Sequence, residues 1–282
     1  MTGLQESAVS DRQRDIRGVM AGALPVVDAF LTGSYRRQTL VAPLSTADVD
    51  VVVVLDRSLR RRGPRGVLDV AKGALSESYR TSKVSRNEQA ITITFSDFVV
   101  DVVPAFAVPW WDFEGGGWDI CDSGGDAWLR TNPKMHTERS AEVNSRTGGL
   151  LVPTVKMLKA WNRTIKEPVR SFHLEVLAWS IFDPGLAAVP LVRARRDHGD
   201  RPGQRLRFFS QAGRLLRRRL PDPARNRGDV GAYLPRPSRA EAISKVNTAR
   251  ERCERAETLR VSGDDQAAKA IYQQVFGDAF PV

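Results

Sequence analysis

The sequence is poor in the residues from which disulfide frameworks and zinc sites are built. Its 282 residues include two cysteines, Cys121 and Cys253, and three histidines, His136, His173 and His198. The cysteines are far apart and have no C-x-x-C neighbour. A disulfide scaffold and a zinc site are therefore not expected, and both cysteines read as packing residues. The histidines stand at no metal-ligand spacing with them, and His136 and His173 read as structural hydrogen-bonders. No run reaches the roughly eighteen apolar residues of a membrane span, so no membrane association is expected. Residues 1–15 are polar and mixed in charge, without the apolar centre of a signal peptide. These absences together imply a soluble, cytoplasmic protein.

Acidic residues are outnumbered, 33 against 43 lysines and arginines, giving a net charge of +10 and a pI of about 10.1. Such a balance suits polyanionic ligands, nucleotides or nucleic acid, and equally a merely soluble basic surface. Ten arginines against two acids fall in residues 193–219. This block reads first as a solvated face between helices, with binding of nucleic acid, a partner or a product as the alternative.

What is present is a hydrophobic share of 41%, enough for one large domain or two packed lobes. Ile16, Val19, Met20 and Ala23 share one helical face, with Ser10 or Asp11 as a candidate cap and Pro25 as the stop. Val26–Leu31 reads as a buried strand, broken by Gly33-Ser34 and a short helical turn. Val49–Leu55, nearly all valine, reads as a central strand. A charged loop over Arg57–Gly66 precedes a helix over Val67–Tyr79. Strands follow at Ala90–Phe95 and Phe98–Phe106, the latter stopped near Pro104, and then glycine-broken hairpins or loops over Trp110–Arg130. From Pro133 onward the period is helical: Leu150–Trp161, Ser171–Phe182, Glu241–Leu259 and Asp264–Phe276. The boundaries expected are a mixed α/β half over 1–132 and a helical half over 133–282, an α+β chain. Trp110, Trp111, Trp118, Trp128, Trp161 and Trp179 are mostly core candidates.

The chemistry-bearing residues lie on the strands. In Asp48-Val49-Asp50 the two carboxylates are two apart on a strand and so project from one face. Paired carboxylates repel unless a cation lies between them, and oxygen ligands favour Mg²⁺ or Mn²⁺. Asp101 interrupts Phe98-Val99-Val100-Asp101-Val102-Val103, an unfavourable place for an isolated charge. A shared metal would account for it, and three carboxylates on adjacent strands can hold two metals about 3.5–4 Å apart. Gly33 lets the backbone approach a phosphate, and the following amides with the Ser34 hydroxyl can hold its oxygens. Gly-Ser alone, or Asp-x-Asp alone, marks an ordinary turn or strand end; the ordered combination on strands is specific for a nucleoside triphosphate site.

Gly33-Ser34-Tyr35-Arg36-Arg37-Gln38-Thr39 followed by Asp48-Val49-Asp50-Val51-Val52-Val53 resembles the DNA polymerase β-like nucleotidyltransferase superfamily. More narrowly, it is similar to the bacterial cGAS/DncV-like nucleotidyltransferases of CBASS antiphage defence. The likeness continues through Val100-Asp101-Val102-Val103-Pro104-Ala105, Thr131-Asn132-Pro133-Lys134-Met135-His136, the helix Val155-Lys156-Met157-Leu158-Lys159-Ala160-Trp161-Asn162, the helix start Ser171-Phe172-His173-Leu174-Glu175, and the ending Phe276-Gly277-Asp278-Ala279-Phe280-Pro281. It implies a polymerase β-like core with a mixed sheet, a helical C-terminal lobe, and an active site in the cleft between them. It also implies an activity: joining nucleoside triphosphates, ATP among them, into a cyclic di- or trinucleotide messenger with release of pyrophosphate.

By position in that resemblance, Asp48, Asp50 and Asp101 bind a two-metal Mg²⁺ or Mn²⁺ site and are the catalytic residues. Gly33 and Ser34 hold the donor triphosphate, with Lys159, Ser171 and, more weakly, Lys156 completing the grip. For the lysines the plain alternative is a solvated helix face, and for Ser171 a helix cap. The zinc insertion that binds DNA in animal cyclic GMP–AMP synthase has no counterpart here, which lowers the case for activation by DNA; a nucleic-acid activator is compatible with the sequence but not required. The product is expected to act on a downstream effector. Two other functions share these residues: a linear, template-independent transferase acting on RNA or protein, and a non-catalytic nucleotide- or RNA-binding module.

Overall fold

The computed structural model describes residues 3–41, 48–109, 116–122, 124, 126–183, 201–224 and 228–278. It divides into two compact units, Met1–Thr137 and Glu138–Val282.

The first unit is a seven-stranded mixed sheet with two long helices. Its elements run α1 (Gly3–Ala23), β1 (Val26–Thr32), a short α2 (Gly33–Arg36), β2 (Asp48–Leu55), a 3-10 turn (Arg57–Arg62), α3 (Gly63–Ser78), β3 (Lys83–Asn87), β4 (Ala90–Thr94), β5 (Val99–Val108), β6 (Gly117–Cys121) and β7 (Trp128–Thr131). The strand order is β1-β2-β5-β4-β3, with β6 on β5 and β7 on β6. Strands β2 and β5 are parallel and every other pair is antiparallel.

Period-two alternation divides the sheet into two faces. On one, Val49, Val51, Val53 and Leu55 of β2 pack with Val100 and Val102 of β5 against Ile16 and Met20 of α1 and Val67, Leu68, Ala71 and Leu75 of α3. On the other, Val52 and Val54 join Val103, Ala105, Ala90 and Ile120, flanked by Phe30 and Trp118. Buried on both faces, the valine strand is held rigidly; each such side chain contributes about 1.5–3 kcal/mol.

The sequence and the structure differ at several places. Helix α1 starts at Gly3, well before Ser10, whose hydroxyl instead donates back to the Glu6 carbonyl at 3.0 Å. Ala23 is exposed, outside the buried Ile16–Met20 stripe. The charged stretch after Arg57 is not a loop, because Asp56 accepts from the Ser58 amide at 2.8 Å and starts the 3-10 turn, and Pro64 suits the first turn of α3. Pro104 does not end β5. It falls where β4 has finished, at Ile91–Val102, and β6 has not begun, at Ala105–Ile120, so a missing N–H on that side costs little. Trp118 and Trp128 are half-buried, Trp161 and Trp179 fully buried, and Trp110 and Trp111 lie outside the described residues.

The second unit is helical: α4 (Pro133–Arg146), in which the division falls, α5 (Leu151–Thr164), α6 (Ser171–Phe182), α7 (Arg201–Leu215), α8 (Arg236–Val261) and α9 (Asp265–Phe276). Asn132 starts α4 by accepting from the Met135 amide at 3.0 Å, and Asp264 starts α9 by accepting from Ala267. Helix α6 is buried from His173 to Phe182, apolar nearly all round, as a central helix must be. Of the arginine block, residues 193–200 lie outside the described residues. The remainder is mixed: Arg205 is buried, with its guanidinium 4.4 Å from the centre of the Tyr272 ring, while Arg214, Arg217, Arg218 and Arg219 are exposed.

Candidate active site

The aspartates lie where the valine strand runs out of core. Asp48 and Asp50 continue the face of Val52 and Val54, and Asp101 continues that of Val103 and Ala105, so all three share the face opposite α1 and α3. Asp50 and Asp101 are register partners on the parallel pair. The register extends sideways: Thr32 of β1 opposes Asp50, Thr92 of β4 opposes Asp101, and Ser85 of β3 opposes Thr92. One row across the sheet thus reads Thr32, Asp50, Asp101, Thr92, Ser85, with two carboxylates flanked by hydroxyls.

Thr92 Oγ1 donates to Asp101 Oδ1 at 2.6 Å. Burial pushes the Asp101 carboxyl above its ordinary pKa, and the Thr92 hydrogen bond acts in the opposite direction. Asp48, at the strand's start, is exposed, and Asp50 and Asp101 are half-buried.

Gly33 follows Thr32 directly and turns the chain at φ +67°. A Cβ built there would lie 1.6 Å from Asp50 Oδ2, so the turn's backbone and the carboxylate are packed without room for any side chain. Helix α2 then begins with no side-chain cap from Thr32, and is closed by Arg37 N–H to Gly33 O at 3.2 Å and Thr39 N–H to Ser34 O at 2.9 Å. Ser34, half-buried, comes one residue after this contact. The amides at the start of the turn and the Ser34 hydroxyl are the groups a phosphate would use.

A hard divalent cation fits this donor set. The three side chains are carboxylates, they stand on one face of adjacent strands, and Asp101 is half-buried with a neutral hydroxyl as its bonded neighbour. Among the described residues no three acidic, histidine or cysteine side chains are gathered round one point.

In the second unit, Lys156 and Lys159 of α5 have different surroundings. Lys156 is exposed, whereas Lys159 is buried and its Nζ lies 2.7 Å from Oε1 of the fully buried Glu175 of α6. Three residues along a helix leave the two side chains about 60° apart, and here that angle spans the edge between the exposed rim, where Lys156 lies, and the core, where Lys159 lies. Ser171 is the first residue of α6, exposed, and Arg170 occupies the cap position. The Arg170 amide donates to Tyr233 Oη at 2.7 Å, and Asn162 bridges both backbone groups of Val169, fixing the approach to Ser171. His173 is buried with Nδ1 3.2 Å from Tyr233 Oη, and burial depresses its pKa to about 4, in keeping with a structural role.

Two residues at these sites, Glu175 and Thr92, are not singled out by the sequence alone. Glu175 carries the signal that exposed Asp101, a single acid within an apolar run. Thr92 is the polar phase of the Ala90–Thr94 alternation, and only the register puts it beside Asp101.

Residues 9–144 match the model of the Second Messenger Oligonucleotide or Dinucleotide Synthetase domain. The chain is 28% identical over 271 residues to a cyclic AMP-AMP-AMP synthase of Acinetobacter, covering 90% of this chain and 73% of that protein. Its fold is that of Escherichia coli CdnC solved with ATP, at a TM-score of 0.75 and 18% identity, covering 100% of this chain and 94% of that one. Vibrio cholerae DncV, a cyclic AMP-GMP synthase, superposes at 0.66 and 18% identity over 90% of this chain and 70% of its own. Residues 9–144 thus match a second-messenger synthetase domain, and the whole chain has the fold of the cGAS/DncV-like nucleotidyltransferases. The polymerase β-type core expected from the sequence is thus present. A cGAS/DncV-like nucleotidyltransferase joins nucleoside triphosphates into a cyclic oligonucleotide messenger in CBASS defence, and metal dependence is general in the family. Among the described residues no helix is long and apolar enough to cross a membrane.

Proposed function

We propose that this nucleotidyltransferase carries out its transfer at the carboxylate row, with Asp48, Asp50 and Asp101 holding two Mg²⁺ or Mn²⁺ ions. The observation that carries the assignment is the register of Asp50 with Asp101 on β2 and β5, with the Gly33 turn packed against Asp50. When bound, the ions supply acidification of the attacking hydroxyl and charge neutralisation at the departing pyrophosphate. The chain's own part is positional. The Gly33 backbone, the amides that follow and Ser34 hold the donor triphosphate beside the carboxylates. Lys159, Ser171 and Lys156 complete the hold on its phosphates. An ammonium has three donors, so Lys159 can keep Glu175 and still give one to a phosphate oxygen.

The reaction balances simply. A ribose hydroxyl of the acceptor forms an O–P bond to the donor α-phosphate, its proton passes to solvent, and the bond between α-phosphorus and the bridging oxygen breaks to free pyrophosphate. Repeating the transfer from the linear product closes a ring of two or three nucleotides. ATP is among the substrates in this reading, which is supported by the adenine-containing product of the Acinetobacter relative and the ATP of the CdnC structure. A nucleic-acid activator is optional in this reading, because the triphosphates themselves are polyanions that match the basic charge. The product serves as the signal to a downstream effector.

The test is incubation with all four nucleoside triphosphates and Mg²⁺, one label at a time, then phosphatase and mass spectrometry. A phosphatase-resistant labelled product supports the reading. Label that stays phosphatase-sensitive in every mixture, or that appears only on an added RNA or protein acceptor, overturns it.

A further inference from the structure

The carboxylate row contains a residue with no part yet in the reaction. Thr92 opposes Asp101 across the antiparallel β4–β5 pair, and its Oγ1 donates to Asp101 Oδ1 at 2.6 Å, a short bond of the kind a hydroxyl makes to a carboxylate. On its other side Asp101 faces Asp50. The bond therefore comes from the flank away from the neighbouring carboxylate, and it takes up Oδ1 while leaving Oδ2 for a ligand.

A free Asp side chain rotates about two bonds, and Asp101 has an acidic neighbour that would drive it away. Strand β4 opposes this rotation. Ile91 and Ile93, on either side of Thr92, are fully buried in the helix-covered face, so the backbone that carries the hydroxyl is fixed. Thr92 is itself β-branched, with a restricted χ1. The hydroxyl is thus held at one point, and it holds one oxygen of Asp101 there.

We propose that Thr92 is a positioning residue: its hydroxyl fixes the Asp101 carboxylate in the orientation from which Oδ2 ligates the metal. The inference rests on the assignment of Asp101 as a metal ligand. Hydrogen-bonded partners of metal-bound carboxylates commonly account for about 10-fold or more in metal affinity. Thr92 touches neither substrate nor metal, so its effect appears in metal affinity and not in the chemical step at saturation.

The experiment measures Mn²⁺ binding by electron paramagnetic resonance, without substrate, for the wild type, Thr92→Val, Thr92→Ser and Asp101→Asn. Thermal melting accompanies each protein. Thr92→Val keeps shape and β-branching but removes the donor; it is expected to bind Mn²⁺ about 10-fold more weakly, with an unchanged melting profile. Thr92→Ser restores the donor and is expected to bind within about threefold of the wild type. In turnover, Thr92→Val raises the Mg²⁺ concentration for half-activity and leaves kcat at saturating Mg²⁺ little changed. Wild-type Mn²⁺ affinity in Thr92→Val overturns the proposal, as does equal weakening in the Val and Ser variants, which would make the effect one of packing. Asp101→Asn separates the two readings: unchanged Mn²⁺ affinity there overturns the metal-ligand assignment itself, whereas loss there with normal binding in Thr92→Val overturns only the role of Thr92.

Discussion

Gly33 and Asp50 leave no room for an atom between them: a Cβ at position 33 would lie 1.6 Å from Asp50 Oδ2. Gly33→Ala must therefore displace the carboxylate or the turn that carries Ser34. The left-handed φ of +67° adds roughly 1–2 kcal/mol of strain for a residue with a side chain. The expected outcome is a modest fall in stability and a far larger fall in pyrophosphate release. Parallel urea melts and pyrophosphate assays check it; wild-type turnover in Gly33→Ala would show that the contact is dispensable.

Lys159 and Glu175 form a buried ion pair across α5 and α6. Removing one partner strands a charge in the core, at a cost of about 3–5 kcal/mol, whereas replacing both with apolar residues of similar volume is far milder. Glu175→Leu is therefore expected to melt well below the wild type, and Lys159→Met with Glu175→Leu to recover most of the loss. Denaturant midpoints decide this. If the double variant is stable yet binds triphosphate as the wild type does, the proposed phosphate contact of Lys159 fails.

His173 gives the fold an acid-sensitive point. Its pKa falls from 6.5 to about 4 because burial disfavours the imidazolium. A depressed pKa means that the unfolded chain binds the proton first. The stability tied to the neutral ring is complete above pH 6.5 and is lost progressively as pH falls toward 4, by roughly 3 kcal/mol in all. Urea midpoints between pH 7 and 4.5 should decline, and His173→Leu should flatten that dependence even though losing the Tyr233 contact lowers stability throughout. An unchanged slope in His173→Leu would place the acid sensitivity elsewhere.

Much of the first unit was legible because its signals are local. The valine run of β2, the helical stripe of Ile16 and Met20, and Asp101 within an apolar strand each follow from period and burial alone. What stayed hidden depends on which strand lies beside which. The short polar β3 has no hydrophobic alternation to mark it, and Thr92 becomes interesting only once β4 is paired with β5. Pro104 looked like a strand end because the sequence does not show the gap between β4 and β6. In the second unit the i, i+3 spacing of Lys156 and Lys159 suggested one shared face. The buried partner Glu175, sixteen residues further on, separates their fates.

In the proposed reaction the carboxylates Asp48, Asp50 and Asp101 carry nucleotidyl transfer. The most direct test is pyrophosphate release from nucleoside triphosphates with Mg²⁺, comparing the wild type with Asp48→Ala combined with Asp50→Ala, each first shown to be folded by its melting profile. Steady release of pyrophosphate and a phosphatase-resistant product are expected from the wild type, with both abolished in the folded double variant. Wild-type turnover by the double variant would contradict that role of the carboxylates.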